Sequence, residues 1–291
     1  LKKLLVTGAS GFLGWNLCSL AAQHYQVFGT YTTKTVTLPR VTLAPVDLTD
    51  FAALKTLWQQ IQPDAVIHLA AKSAPNFCQT HPQLSYALNV EATAHLASLA
   101  ADSEIPFVFT STDLVFDGTK PPYRETDAVN PISRYAEHKV LAEQEVLQRY
   151  PDATVCRMPL MFGAVPTGAT SFIQPFLKIL RQGENLSLFA DEYRTPASAP
   201  TAAQGLLLAL ETAQGLLHLG GRERVSRYEF GCLMAEVLEL PKAQITACQQ
   251  KDVPMAAPRP QDVSLDSSVA FALGYCPLSL KAELLALKGC V

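Results

Sequence analysis

Tyr135 and Lys139 stand four residues apart in a stretch, 133–149, whose apolar spacing predicts a helix, so both side chains fall on one face. A phenol ordinarily titrates near pH ~10, and an ammonium that favours its phenolate makes it a usable acid or base closer to neutrality. Upstream, the run from Phe107 to Phe116 reads as a strand that delivers the hydroxyls of Ser111 and Thr112 to its C-terminal end. In open α/β sheets that edge is where ligands bind. A hydroxyl there can hold a substrate carbonyl while Tyr135 gives it a proton and a nicotinamide gives it hydride. That chemistry needs a dinucleotide close by.

The site for one lies at the start of the chain, in Thr7-Gly8-Ala9-Ser10-Gly11-Phe12-Leu13-Gly14. Glycines at this spacing permit a tight turn, let backbone approach a pyrophosphate and let a helix pack closely on its strand, with the helix N-terminus facing the anion. Sites that hold NAD usually carry Asp or Glu at the end of the second strand, for the adenosine ribose. Here the first acidic residue of the chain is Asp47, and the second strand ends in Gly29-Thr30-Tyr31-Thr32-Thr33-Lys34, with Arg40 beyond. Hydroxyls and cations in place of an acid suit a 2′-phosphate, so NADP(H) is preferred over NAD(H).

The elements that must position these groups alternate. Strands are expected at 4–7, 26–31, 41–46, 65–69, 106–110 and 153–157, and helices at 12–24, 51–61, 84–102 and 133–149. This is the pattern of a doubly wound parallel sheet. After Arg157 the rhythm changes: Pro159, Gly163, Pro166 and Gly168 mark a loop, followed by a helix at 171–182 and a short strand at 186–189. A helix at 201–212 and a strand at 216–219 rejoin the main sheet, and the remainder carries a helix at 228–238, a Pro-rich stretch at 254–260 and a Leu-rich end. The expected division is a Rossmann domain over 1–158 plus about 198–220, and a smaller α+β substrate domain over about 159–197 and 221–291.

Composition narrows the partners. The chain has 291 residues, 48% of them hydrophobic, and 23 basic against 26 acidic side chains leave a net charge of −3, so no basic excess exists to neutralise a nucleic-acid backbone. No apolar run reaches the length of about 18 residues that a membrane helix needs, and seven scattered cysteines contain no C-x-x-C pair. A cytoplasmic protein with reduced thiols, bound to neither membrane nor nucleic acid, is the expectation. Trp15 and Trp58, on helical stretches, read as core packing.

These motifs together resemble the extended short-chain dehydrogenase/reductase superfamily, through the glycine turn, the Ser/Thr strand end and the Tyr135/Lys139 pair. Ser111-Thr112-Asp113-Leu114-Val115-Phe116-Asp117-Gly118, then Glu125-Thr126-Asp127 and Pro131, is similar to the dTDP-4-dehydrorhamnose reductase family, as are Arg157 before Phe162-Gly163, the stretch from Asp191 to Pro196, and Arg259-Pro260 before Ser264-Leu265-Asp266. The resemblance implies an NADPH-dependent reductase of a nucleotide-linked 4-keto-6-deoxy sugar. It makes Thr112 the catalytic hydroxyl, Tyr135 the proton donor, and Lys139 the residue that lowers the Tyr pKa and holds the nicotinamide ribose. Gly8, Ser10, Gly11, Phe12, Leu13, Gly14, Tyr31, Thr32 and Lys34 would meet the cofactor, with Asp47 and Leu48 at the adenine. Ala70, Ala71, Lys72, Asn89, Ser111 and Met158 would line the rest of its site. Ser73, Thr112, Asp113, Val115, Arg194 and Arg259 would meet the nucleotide sugar, with the cluster Arg222, Arg224 and Arg227 a further candidate grip on its diphosphate. Monomer and homodimer both remain open.

The chain departs from that family at Pro75-Asn76-Phe77-Cys78-Gln79-Thr80-His81-Pro82, where a V-D-x-x-E-x-x-P stretch carries acids associated with magnesium at a dimer contact. Without the acids no metal is expected. Cys78 and His81 there are either a second acid/base pair or, the favoured reading, a buried thiol and a loop imidazole. Two rival functions share the fold. An epimerase or dehydratase of the superfamily is one, although a dehydratase usually follows its threonine with Asp-Glu and here Leu114 follows Asp113. The other is a non-catalytic NADP-binding regulatory subunit, since the β-subunit of methionine adenosyltransferase is similar to these reductases.

Overall fold

The computed structural model of the chain describes residues 1–241 and 244–291. Its first half runs β1 (Lys3–Thr7), α1 (Phe12–Ala21), β2 (Gln26–Tyr31), β3 (Val41–Pro45), α2 (Phe51–Ile61), β4 (Ala65–His68), α3 (Pro75–Thr80), α4 (Pro82–Tyr86), α5 (Ala92–Asp102), β5 (Phe107–Thr112), α6 (Arg134–Arg149) and β6 (Thr154–Met158). The second half runs β7 (Met161–Phe162), α7 (Ile173–Arg181), β8 (Leu186–Phe189), β9 (Tyr193–Arg194), β10 (Ala197–Ser198), α8 (Ala199–Thr212), β11 (Gly215–His218), β12 (Val225–Ser226), α9 (Arg227–Val237), β13 (Ile245–Cys248), α10 (Ser268–Ala272) and α11 (Leu280–Leu285).

Seven strands form one parallel sheet in the order β11-β6-β5-β4-β1-β2-β3. Its order reverses between β1 and β4, the switch point at which doubly wound sheets open a crevice for ligands. β4, β5 and β6 are buried along their whole length, as strands covered on both faces must be. One face packs Leu4, Val6, Leu17 and Cys18 against Ala202 and Leu206 of α8, with Trp15 at its margin. The other packs Leu5, Leu54, Trp58, Leu96, Phe107 and Val146. A third core, around Phe162, Leu177, Leu188, Phe230 and Leu284, gathers α7, α9 and α11 beyond the sheet. β11 does return to the main sheet, in register with β6 from Gly215 opposite Thr154.

Three local expectations are corrected. The helix expected over 84–102 is broken: α4 ends at Tyr86, a π turn occupies Ala87–Glu91, and α5 follows. The extra residue of that turn lets Asn89 point at the end of β4, a use of π-bulges common at ligand sites. The stretch from Pro75 to Pro82, expected as a loop, holds α3, because Pro75 occupies the first helical turn, where a missing N–H costs nothing. α1 stops at Ala21 and the chain turns through 22–24, closing Gln23 N onto Leu20 O and His24 N onto Ala21 O. The two-residue strands β7, β9, β10 and β12 were too short to show any alternation in sequence.

Candidate active site

Between the glycine turn and α6 lies a cleft of about 580 Å³ that takes in Gly8, Ser10, Gly11, Phe12, Leu13, Gly14, Tyr31, Thr32, Lys34, Leu48, Ala70, Ala71, Lys72, Ser73, Ser111, Tyr135, Lys139 and Met158. The turn is built for close approach. A Cβ on Gly8, whose φ is +71°, would meet Ala70 N and Cα at 3.0 Å, and one on Gly14 would stand 2.1 Å from Gly8 O. Ala9 N donates to Thr30 O at 2.8 Å, tying the turn to the end of β2. A cradle that tolerates no side chain, at the start of α1, fits the close approach of a dinucleotide pyrophosphate. Asp47 lies just outside, its carboxylate capping Thr49 through N and Oγ1 at 2.9 and 2.7 Å, which holds it below the usual range.

The hydroxyls at the end of β5 divide their work. Ser111 lines the cleft, and its Oγ is buried with no partner among the described residues, a donor available to a ligand. Thr112 Oγ1 is engaged, accepting Leu114 N and donating to Asp113 Oδ1, both at 3.2 Å. Tyr135 and Lys139 share the inward face of α6, which starts where Ser133 Oγ caps Ala136 N at 3.4 Å. Lys139 Nζ donates to Thr110 O at 2.6 Å and sits 4.4 Å over the Phe109 ring. Burial pulls this ammonium down to about 7, against an upward pull from Glu143 and Cys78.

The Tyr135 phenol is pushed up, first by burial, then by the charges of Asp113 and Cys78, with Thr112 acting the other way. The lowering expected from Lys139 is not found: Thr110 O holds that ammonium, and burial dominates at the phenol. A protonated phenol is what a proton donor requires.

A chain of hydrogen bonds runs beneath the cleft. Thr93 Oγ1 donates to Asn89 O at 2.8 Å, so it accepts from His68 Nε2 at 2.9 Å. His68 Nδ1 then accepts from Thr7 Oγ1 at 2.6 Å, and Thr7 Oγ1 in turn receives Leu69 N and Ala70 N, each at 3.1 Å. Complete burial draws His68 down to about 3, so it stays neutral. Asn89 closes the loop from the other side: its side chain accepts Lys72 N at 2.8 Å and donates to Lys72 O at 3.0 Å. The backbone of 69–72 that lines the cleft is thus pinned at both ends. Sequence reading missed His68, although a histidine ending an otherwise apolar strand was the available sign.

Arg194 is buried, and its fork closes on Asp113 at 2.6 and 2.5 Å, with Glu192 at 3.6 Å. Neither partner offers a free edge to a diphosphate, and Val115 is sealed in an apolar core with Phe116 and Tyr123. Arg222 donates to Pro277 O, Arg224 to Asp262 and Arg227 to Glu192. Arg259 differs. Its Nε is buried with no partner among the described residues, and its guanidinium faces Glu192 as well as Arg194 and Arg227, so these three cations share Glu192 and Asp113.

The stretch that lost its acids uses the amides as ties. Asn76 Oδ1 accepts Ala257 N and Gln79 Oε1 accepts Arg134 N, each at 3.1 Å. Cys78 is buried with Sγ on Lys72 O at 3.1 Å, whereas exposed His81 stacks on Phe77 at 4.4 Å, so the two have different partners. Among the described residues no group of His, Cys, Asp and Glu is arranged to hold a metal, and no helix is long and apolar enough to cross a membrane.

With this geometry in view, residues 2–284 match the family described as RmlD substrate binding domain. A methionine adenosyltransferase 2 subunit beta from Xenopus laevis is 31% identical, over 94% of this chain and 83% of its own. A probable low-salt glycan biosynthesis reductase from Haloferax volcanii is 33% identical over 97% of this chain and 96% of its own. Among solved structures, a hypothetical dTDP-4-dehydrorhamnose reductase from Sulfolobus tokodaii superposes with a TM-score of 0.85 at 32% identity, covering 96% of this chain and 98% of that one.

Proposed function

The chain belongs to the RmlD substrate-binding-domain family, and on that premise we propose that it is an NADPH-dependent reductase of a nucleotide-linked 4-keto-6-deoxy sugar. The observation that carries the reading is the convergence, in one cleft, of the glycine cradle, the unpartnered Ser111 hydroxyl, and the Tyr135 and Lys139 pair. The glycine turn and Lys34 would hold NADPH, whose reduced nicotinamide supplies hydride when bound. Ser111 orients the sugar carbonyl, Tyr135 donates the proton to its oxygen, and Lys139 holds the ribose. Arg259, the cation in excess, takes the sugar diphosphate, while Arg194 orients Asp113. The 1–158 and 198–220 portions form the nucleotide half, and the rest the sugar half. Seven free thiols suit a reducing cytosol as its place of work.

A dehydratase is disfavoured by the same geometry, because both Asp113 oxygens are taken by Arg194 and the following Leu114 supplies no second acid. The regulatory reading has an observation of its own, the likeness to a methionine adenosyltransferase subunit beta. One assay separates the two. NADPH absorbance is followed while the protein meets dTDP-4-keto-6-deoxyglucose, with and without a 3,5-epimerase. Consumption that depends on the epimerase supports a dehydrorhamnose reductase; tight NADPH binding without consumption favours a regulatory role.

A further inference from the structure

Residues 164–171, between β7 and α7, cross the cleft as a strap that belongs to the sugar half. Its ends are anchored: Asn16 Nδ2 donates to Ala164 O at 3.1 Å, and Gln174 Oε1 accepts Ser171 N at 2.8 Å. In between, Ala169 N closes a turn on Pro166 O at 3.1 Å. Among the described residues, the hydrogen bond that reaches the middle of the strap from outside is Lys34 Nζ to Gly168 O, at 3.1 Å. Gly168, Ala169 and Thr170 then face Thr30, Tyr31, Thr32, Thr33 and Lys34 across the same space.

Resting on the NADP(H) reading above, we propose that this strap is the second wall of the 2′-phosphate site, and that Lys34 holds the strap and the phosphate together. The charges suit a dianion. From the start of the chain to Val46 there is no carboxylate, and the strap Ala164-Val165-Pro166-Thr167-Gly168-Ala169-Thr170-Ser171 has none either. An ammonium has three donors, so one on Gly168 O leaves two for a phosphate. Residue 168 sits at a φ of +83°, where glycine is favoured, and a Cβ there would lie in ordinary contact with Lys34, 3.7 Å from Cδ and 3.9 Å from Nζ, so a side chain at 168 reaches the ammonium. Discrimination between NADPH and NADH therefore depends on the identity of residue 168, in the sugar half, as well as on Lys34.

The test is calorimetric titration with adenosine 2′,5′-bisphosphate and adenosine 5′-monophosphate, neither of which needs turnover. The unaltered chain binds the bisphosphate tighter by about tenfold or more, the effect of charge-assisted bonds to one phosphate. Lys34→Met removes the cation and brings the preference to within about twofold. Gly168→Asp sets a carboxylate on the ammonium and against the phosphate, so the monophosphate binds better. Gly168→Asn, of the same size and equally tolerant of positive φ, retains most of the preference. An Asp variant that discriminates no less than the Asn variant, or no less than Lys34→Met, overturns the strap assignment. Equal affinities for the two nucleotides in the unaltered chain overturn the NADP(H) reading instead.

Discussion

Tyr135 and Lys139 were chosen in sequence by a spacing that many surface pairs share, and what sets them apart here is burial. Tyr135→Phe removes the proton donor alone, so reduction should fall by about 10²–10⁴-fold while NADPH affinity stays within about twofold; steady-state kinetics beside calorimetry checks both. Lys139 makes a prediction about pH. Its folded value of about 7 lies below the unfolded one of 10.5, so between these values the unfolded chain binds more protons and stability rises with pH. Tyr135 opposes this above pH ~10, where its unfolded phenol ionises first, which leaves pH 7 to about 10 as the window. Lys139→Met should flatten that rise and increase Tm near pH 7, by about 2–4 °C for each kcal/mol gained. Thermal unfolding from pH 7 to 10 reads both effects, and a slope unchanged by the substitution would contradict the buried-ammonium picture. At this scale the residue types were legible in sequence but their environments were not. The expected drop in the Tyr135 pKa presumed an ammonium free to face the phenol, and no spacing rule reveals that Thr110 O holds it.

The main elements could be read because alternation and helical period are local, whereas the elements that aim the site depend on contacts distant in sequence. The π turn at Ala87–Glu91 is the clearest case: its cause is Asn89 reaching Lys72, and the helix period on either side gives no warning of it. The strand pairs β7 with β10 and β9 with β12 are likewise tertiary products, two residues each. His68 joins β1, β4 and α5 through one imidazole, so it belongs to this scale as well. His68→Leu leaves the Thr7 and Thr93 hydroxyls without that partner in a dry interior, at about 1–3 kcal/mol for each. Urea unfolding should show the combined loss, and cofactor affinity should fall with it, because the Thr7 hydroxyl, left without its acceptor, turns toward another and gives up Ala70 N. A variant as stable as the original would mean that the two hydroxyls find other partners.

Over the whole molecule, the glycine-turn cleft opens at the switch point of the sheet, and residues 168–170 of the second half line it as well. The Asp113–Arg194 pair joins the two, one partner following β5 and the other in β9. Asp113→Ala would strand a buried guanidinium and cost about 3–5 kcal/mol, read by the same denaturant titration. A change of rhythm after Arg157 was legible, and β6 ends beside it, at Met158. The way the halves meet was not, since Arg194 in sequence is only an arginine on a short polar stretch, and its buried carboxylate lies in the other half. Among the described residues, Arg259 Nε is left at that junction without a hydrogen-bond partner, and the reading of the chain as a reductase requires the diphosphate of a nucleotide sugar there, with the sugar carbonyl at Tyr135. The most direct measurement of that claim is hydride transfer itself. NADPH deuterated at the transferable position is incubated with the protein and dTDP-4-keto-6-deoxyglucose, with a 3,5-epimerase present, and the sugar is analysed by mass spectrometry. A reductase yields a deoxysugar nucleotide carrying one deuterium at C4, and none with Tyr135→Phe. NADPH that binds tightly while the keto-sugar is recovered unreduced would contradict the account.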